Sequence, residues 1–317
     1  MTSFIDRSIS SIVVVTIALL AGYAVFPAWF SLMIVAVAAK ALVVLGVVIL
    51  MRGGSVSFGQ GLYYCIGGYT VGLATQLLGV TDIFALLGLV MLVGAITGGI
   101  FGTFMSRYRE IFFAMFSLAL SMILYGVLSR SQALGSTDGI NVLSPTVFGM
   151  VLSGSQATLL IYCLTCIAGG VFAILAHCYF RSPLGYASLA VESNEVRVEY
   201  LGLAPQTVLY SNYLVASVLS AFGGGIAALN YGHVGPSMAY WVQSGEFIFI
   251  ALMGGAEHIA GAFIGSLVFE VVRTYALQMA PSMWRIILGS VLIIIILFLP
   301  RGLWSLRELG RRGVRKT

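Results

Sequence analysis

A few charged side chains within long apolar stretches are the residues of this chain that could do chemistry. Lys40 is the one charged residue between Arg7 and Arg52, and Glu270 and Arg273 stand three residues apart in another apolar run. A charge at such a place is costly in a membrane unless it is paired or hydrated. Lys40 therefore predicts a contact in a translocation pathway, such as a substrate carboxylate, or else a buried ion pair or a lysine that reaches a cavity. The spacing of Glu270 and Arg273 favours a structural pair over a proton relay.

Further candidates for a polar cavity are Ser57, Gln60 and Asn230. The stretch GGSVSFGQG (53–61) lacks the Gly-Lys-Ser/Thr ending of a nucleotide loop. We expect it to belong to a helix over 53–72 whose polar face, with Ser57 and Gln60, lines a cavity in the membrane. Two glycine runs, Gly223–Gly225 and Gly254–Gly255, are expected to unwind or kink the backbone.

Catalysis and metal binding are not predicted for any residue. The three histidines, at 177, 233 and 258, are scattered. No Ser/His/Asp, Cys/His or paired-carboxylate arrangement stands out. The chain is therefore expected to bind no cofactor or metal of its own and not to be an enzyme.

The elements that must position these residues are membrane helices. The 317 residues are 60% hydrophobic and 9% charged, whereas soluble domains carry roughly a quarter charged residues, so a soluble enzyme is excluded. Uncharged runs reach the roughly 20 residues that a membrane helix needs. We predict an all-α, polytopic membrane bundle forming a single domain over 1–317. Its ten spans are 9–28, 31–51, 56–78, 83–105, 112–129, 157–180, 208–230, 244–254, 259–279 and 284–300, of which the eighth is short or broken.

Basic residues indicate the orientation of the bundle. With both termini in the cytoplasm, an even number of spans places Arg7, Arg52, Arg181 and the basic tail over 301–317 inside, and Arg130 outside. Glycines four apart, as in Gly94-x₃-Gly98, predict close helix contacts.

One polar segment, Arg181–Pro205, interrupts the apolar pattern. It holds Arg181, Glu192, Glu195, Arg197 and Glu199, whereas 144–180 and 206–245 hold no charged residue. Ser182-Pro183 is a good helix start, and an amphipathic helix from Leu184 to Leu201 would carry its three glutamates as an acidic stripe. Helices on membrane surfaces favour basic polar faces. Docking to a soluble protein is therefore favoured over lying on the membrane.

Several motifs, in order along the chain, resemble those of the permease subunits of bacterial branched-chain amino acid importers, the LivH/LivM family. They are SPLGYASLAVESNEVRVEYLGL (182–203), GGSVSFGQGLYYCIGGYT (53–70), LGSTDGI (134–140), SAFGGGIAALNYGHVGP (220–236), LMGGAEHIAGAFIG (252–265) and LPRGL (299–303). The resemblance covers about 31–303, and the LivM-type branch fits better than the LivH-type.

The resemblance implies a multi-pass permease of the bacterial inner membrane with a set of partners. These are a second related permease, two cytoplasmic ATPases that use ATP and Mg²⁺, and a periplasmic substrate-binding protein. The cytoplasmic loop 181–205 would hold a coupling helix for an ATPase. The residues carried over to coupling are Ser182, Pro183, Leu184, Gly185, Glu192, Asn194, Glu195 and Gly202. The pathway residues, predicted from their own positions in the sequence and not from the family, are Lys40, Ser57, Gln60, Asn230, Gly254 and Gly255.

Two departures from the family separate this chain from its relatives. Relatives carry arginines where this chain has Tyr186, Leu189 and Glu192, and they are apolar around Lys40. The first departure predicts an ATPase groove that is correspondingly basic. The cargo is expected to be branched-chain or other small neutral amino acids, with urea, short amides or simple sugars as alternatives. A secondary transporter and a non-transport scaffold are weaker alternatives.

Overall fold

Apolar runs separated by glycine, proline and charged turns fold into helices along the whole described chain. The computed structural model describes residues 2–23, 26–147, 150–151, 154–256, 258–299 and 302–304. Its α-helices are α1 Thr2–Gly22, α2 Ala28–Met51, α3 Gln60–Leu77, α4 Ile83–Met105, α5 Glu110–Arg130, α6 Gly154–Phe180, α7 Pro183–Ser193, α8 Glu195–Tyr200, α9 Pro205–Tyr231, α10 Trp241–Gly254, α11 Ile259–Met279 and α12 Trp284–Phe298.

The predicted all-α membrane bundle is confirmed. Among the described residues, six helices are long and apolar enough to cross a membrane: α2, α4, α5, α6, α9 and α11. Shorter apolar helices lie at Ser8–Gly22, Trp241–Gly254 and Trp284–Ile295. Each predicted span coincides with one helix, but the number ten stays a prediction. Helix α10 has 14 residues, about 21 Å at 1.5 Å per residue, short of the roughly 30 Å of a hydrocarbon core.

The centre of the bundle is formed by α2 and α9. Helix α2 is apolar all round, and its residues from Ile34 to Leu50 are almost all buried, as expected of a helix surrounded by others. Helix α9 packs against α2, α3 and α4. The predicted close contacts of the α4 glycines are confirmed, since Gly94, Gly98 and Gly102 face α9.

The two glycine runs behave differently. The prediction that Gly223–Gly225 unwinds the backbone was wrong, because these residues lie within the continuous helix α9. A side chain at Gly223 or Gly224 would overlap the carbonyl of Ala39 or Tyr64, so these glycines permit close packing instead. At Gly254–Gly255 the prediction is confirmed: α10 ends at Gly254, and Gly255 has φ +102°.

The predicted helix over 53–72 was wrong in its first part. Helix α3 begins only at Gln60, and residues 55–57 are non-helical. Ser55, Ser57 and Gly59 are buried in this segment. Side chains satisfy its backbone, since Phe58 N donates to Ser117 Oγ at 3.0 Å and Gly59 N to Ser57 Oγ at 3.2 Å. Non-helical backbone inside a membrane bundle is tolerated where protein surrounds it.

Short strands tie together one end of the bundle. Strand β1 Ile140–Asn141 pairs antiparallel with β4 His233–Val234, and β2 Thr146–Val147 pairs with β3 Met150–Val151. Helices α7 and α8 lie at the other end. Glu195, in α8, contacts Arg109 at the start of α5, whereas β1 follows the end of α5. Strand β1 and the segment 181–205 are therefore separated by the length of α5.

Candidate functional site

Helix α7 begins where the Ser-Pro pair predicts. Ser182 is the N-cap residue, its Oγ accepting a hydrogen bond from Gly185 N at 3.2 Å, and Pro183 is the first helical residue. This arrangement satisfies an otherwise unpaired donor of the first turn. Gly185 lies directly against α6, because a Cβ there would overlap the carbonyls of Tyr179 and Phe180. The turn between α6 and α7 is thereby held tight.

The single helix predicted from Leu184 to Leu201 is two helices, and that prediction was wrong. Helix α7 ends at Ser193, and Asn194 has extended backbone at φ −166°, ψ 101°. Its side-chain Oδ1 accepts a hydrogen bond from Arg197 N at 2.9 Å and so caps α8. Asparagine favours such caps over helix interiors because its side chain competes for backbone donors. The three glutamates are consequently not one continuous stripe.

The glutamates have different surroundings. Arg109 Nη2 lies 2.6 Å from Glu195 Oε1, and Arg109 Nε donates to both carboxylate oxygens of Glu195. This bidentate ion pair joins α8 to the start of α5. Glu192 is exposed beside Gly54, where φ is +74°, and Glu199 is exposed. Glu195 is therefore an intramolecular anchor, and the two other glutamates remain available to solvent.

A buried polar hub, which sequence reasoning missed, fastens α7 to the membrane helices. It consists of Asn212 in α9, Ser188 in α7 and Tyr179 in α6. Asn212 Oδ1 accepts from the Tyr179 hydroxyl at 2.6 Å and lies 3.0 Å from Ser188 Oγ, while Asn212 Nδ2 donates to Ser188 Oγ at 2.9 Å. Asn212 and Ser188 are buried. A lone asparagine and serine in apolar sequence gave no spacing signal for this contact.

The 181–205 segment exposes large apolar side chains beside its charged ones. Residues Ala187, Val191 and Val198 pack inward with Val208 and Leu209. Large apolar side chains are exposed instead at Leu184, Tyr186, Leu189, Val196, Tyr200, Leu201 and Leu203. We call these seven residues the outer face. Leu189, Val196 and Leu203, which recur every seven residues in the sequence, thus belong to this outer face and not to the inner core. Gly202, φ +81°, makes the turn after α8.

Lys40 is buried and forms an ion pair. Its Nζ lies 2.6 Å from Glu270 Oε2, joining α2 to α11, and Arg273 Nη1 lies 4.0 Å from the same oxygen. The buried-pair alternative for Lys40 is therefore realised. The partner of Glu270 at hydrogen-bond distance is Lys40 and not Arg273. Arg273 lies over the ring of Trp284 at 5.7 Å.

Asn230 and Glu270 line a groove between α2, α9 and α11 with a volume of about 360 Å³. The lining residues are Trp29, Leu32, Met33, Ala36, Asn230, Tyr231, Glu270, Thr274 and Gln278. The polar residues Glu270, Thr274 and Gln278 follow one face of α11 at a spacing of four. This spacing was visible in the sequence and is the signal that could have found the groove.

The other predicted pathway residues lie away from this groove. Gln60 Oε1 accepts a hydrogen bond from Ser220 Oγ at 2.6 Å, and Ser57 lies in the segment before α3. Gly254 and Gly255 contact residues 302–304, where Leu303 N donates to Met253 O at 2.9 Å and Gly302 lies against Gly255. The structure therefore does not gather the six predicted residues into one site. Of the predicted basic tail 301–317, only 302–304 lie within the described residues.

Metal ligands are not clustered in the part of the chain that the structure describes. No group of three or more His, Cys, Asp or Glu residues there could hold a metal ion. Glu257 lies outside the described residues.

Comparison with known proteins identifies the family. Residues 28–296 match the model of the family described as the permease component of branched-chain amino acid transport systems. The chain belongs to this family. A search of solved structures found no match.

Individual relatives are distant but align over most of the chain. It is 23% identical over 278 residues to the permease protein LivM of Salmonella typhimurium, described as part of a high-affinity branched-chain amino acid transport system. That alignment covers 81% of this chain and 65% of the relative. It is 24% identical to BraD of Pseudomonas aeruginosa, and that alignment covers 83% of this chain and 89% of the relative. A probable LivH of Methanocaldococcus jannaschii is 25% identical over 76% of this chain and 78% of its own length. The chain thus spans just under two thirds of the LivM relative.

Proposed function

We propose that this permease is the membrane subunit of an ATP-driven importer for branched-chain or other small neutral amino acids. It forms the pathway with a second related permease in the bacterial inner membrane, with both termini in the cytoplasm. A periplasmic protein delivers the substrate, and two cytoplasmic ATPases supply the driving force. The family membership and the names of the relatives support the transport class and the amino acid cargo.

The observation that carries the proposed coupling role is the outer face of the 181–205 segment. It presents seven large apolar side chains on two short helices and the turn that follows them, and the helices are held against the bundle on their inner side. The cap at Ser182, the close approach at Gly185, the hub at Asn212 and the Arg109–Glu195 pair all hold these helices against the bundle. Exposed apolar patches on an otherwise anchored element mark protein interfaces. We therefore propose that α7 and α8 dock into an ATPase and transmit its movement as a rigid-body shift.

The predicted coupling residues divide into three groups within this proposal. Ser182, Pro183 and Gly185 position α7, and Asn194, Glu195 and Gly202 position α8. Leu184 belongs to the outer face. Glu192 is exposed and carries the charge that a basic ATPase groove would recognise. The chain itself supplies no catalytic group, and ATP with Mg²⁺ is bound by the ATPases.

Leu201→Asp tests the docking surface, since Leu201 is 73% exposed in the outer face. When the tagged variant chain is purified from membranes, we expect about tenfold less ATPase subunit, or less still, to purify with it than with the parent, as for an interface hot spot. Leu143→Asp is the matched control, because Leu143 is 50% exposed beyond the opposite end of α5. Equal ATPase retention by both variants and the parent would contradict docking through this face.

Uptake into vesicles tests the cargo. Vesicles that hold the purified complex, with its binding protein outside, should accumulate L-leucine only when ATP is enclosed inside, on the side of the ATPases. Competition by urea, a short amide or a simple sugar in place of leucine would assign the alternative cargo. Uptake by the chain alone, without ATPases, would show a secondary transporter instead.

A further inference from the structure

The groove between α2 and α11 has two chemically different walls. Helix α2 contributes the apolar side chains of Trp29, Leu32, Met33 and Ala36. Helix α11 contributes Glu270, Thr274 and Gln278, which lead over two turns, about 12 Å, from an exposed rim to a buried floor. The volume of about 360 Å³ falls within the range of about 300–1,000 Å³ typical of small-molecule sites. A ligand with one polar and one apolar end fits these walls.

The floor of the groove offers hydrogen-bond acceptors. Glu270 is buried, with its residue 8% exposed, and its Oε2 is taken by Lys40. Among the described residues, Glu270 Oε1 has no hydrogen-bond donor, and the buried Oδ1 of Asn230 also has none. A buried acceptor without a donor, as at Asn230 Oδ1, is unfavourable until a donor reaches it. A ligand ammonium supplies three donors and suits this floor.

Lys40 sets the charge of this floor. The Lys40–Glu270 pair has no net charge, and Lys40 lies behind Glu270, outside the groove lining. Arg273 Nη1 lies 4.0 Å from the same Glu270 oxygen, but Arg273 is outside the lining, over Trp284 and partly exposed, so solvent screens its charge more than that of Lys40. In surroundings of low polarity an unpaired carboxylate would hold a cation strongly. With Lys40 in place, the floor can hydrogen-bond an ammonium group without trapping a cation. Weak binding of this kind is what a site of passage requires.

We propose that this groove is a transient binding site for small amino acids of zero net charge. Glu270 Oε1 and Asn230 Oδ1 accept from the ligand ammonium group, the α2 wall contacts its apolar side chain, and Lys40 excludes cationic amino acids by neutralising Glu270. The inference rests on the proposed transport function and adds a site and a selectivity residue to it.

Site-directed thiol protection tests the groove in the intact importer complex in lipid vesicles. Thr274→Cys places a thiol in the lining, and Met279→Cys, exposed on the same helix outside the lining, is the control. A chain without either added cysteine gives the background from the native cysteines. Modification by a methanethiosulfonate reagent is timed with saturating L-leucine, with L-lysine and with neither. Leucine should slow modification at 274 by about tenfold, equivalent to about 1.4 kcal/mol, lysine should not, and position 279 should respond to neither.

Two charge variants separate the role of Lys40 from packing. Adding Lys40→Met to Thr274→Cys should reverse the preference, so that lysine protects and leucine protection falls. Lys40→Met with Glu270→Gln removes both charges at similar volume, and this pair should again reject lysine. Gel filtration measures the size of each complex and so shows whether each variant assembles. If Lys40→Met alone does not assemble, the double variant Lys40→Met with Glu270→Gln still tests the role of the charges.

The outcomes distinguish this inference from the proposed function. Leucine uptake that continues while no amino acid protects position 274 would overturn the groove as a binding site. A preference unchanged by Lys40→Met in an assembled complex would overturn the selectivity role. Absence of ATP-dependent leucine uptake by the unsubstituted complex would count instead against the proposed cargo.

Discussion

At the scale of single residues, the informative positions are polar groups buried in an apolar chain. The Asn212 hub joins three helices through one amide, with distances of 2.6–3.0 Å to the Tyr179 and Ser188 hydroxyls. The Lys40–Glu270 pair joins two more. In both cases each group depends on its partner, because a buried polar atom left alone loses its solvation without compensation. These residues are therefore sensitive to substitution although none is exposed.

Asn212→Leu removes the hub while keeping a similar volume. It leaves the Tyr179 and Ser188 hydroxyls without this partner, and we expect a loss of about 1–3 kcal/mol in the free energy of unfolding. The transport activity per ATP hydrolysed should fall as well, since α7 loses its attachment to α9. Thermal unfolding in detergent and coupled uptake measure the two effects. Ser211→Ala, next in sequence and bonded only to Thr207 O, is the control, and an equally large effect there would refute a special role for Asn212.

At the scale of elements, close approach between helices decides the fold. Helix α9 contacts α2 and α3 through Gly223 and Gly224, which stand against main-chain carbonyls. Small residues at such crossings let helices approach closely in lipid, where apolar burial gives little driving force. The glycines here therefore stabilise the bundle because they have no side chain at the helix crossing.

Gly224→Ala is expected to destabilise the bundle, because its Cβ would overlap the carbonyl of Tyr64 in α3. Overpacking of this kind costs about 1–3 kcal/mol. Gly88→Ala in α4 is the matched control, since no atom lies within 4 Å of a Cβ there and alanine favours a helix by about 1 kcal/mol over glycine. Unfolding midpoints should fall for the first variant and hold or rise for the second. Equal midpoints would contradict the packing argument.

The elements also show how far the sequence could be interpreted. Long apolar runs predicted the helix positions, and Ser182-Pro183 predicted the start of α7, because local chemistry alone decides these features. The break at Asn194 and the late start of α3 at Gln60 were not predicted. The break follows from a local cap that the sequence analysis overlooked, in which Asn194 Oδ1 accepts from Arg197 N, whereas the segment before α3 depends on Ser117, a partner distant in sequence. The Lys40–Glu270 contact spans 230 residues, and no spacing rule could supply it.

At the scale of the whole molecule, the two ends of the bundle have different character. One end carries the β1–β4 and β2–β3 ribbons, and the other carries α7 and α8 with the outer face. The sequence predicts that the second end is cytoplasmic from the distribution of arginine and lysine. Family membership supports a multi-pass membrane permease, and the orientation is open to direct measurement.

Leu201→Cys and Leu143→Cys test that orientation, since both side chains are exposed and lie at opposite ends of the bundle. In intact cells a membrane-impermeant thiol reagent should modify the thiol at 143 and not that at 201. Inverted vesicles should give the opposite result. The parent chain, with Cys178 exposed, provides the background. Modification of both positions from the same side would exclude the predicted topology.

The non-helical segment before α3 has a consequence for how the protein is made. Residues 55–59 cannot enter lipid alone, because their backbone donors depend on side chains such as Ser117 that are synthesised later. Helix α3 itself is not among the six helices apolar enough to cross a membrane. Its packing partner α9 begins only at Pro205, well over a hundred residues after α3 ends at Leu77. The final packing of α3 and of the segment before it therefore has to follow the synthesis of α9.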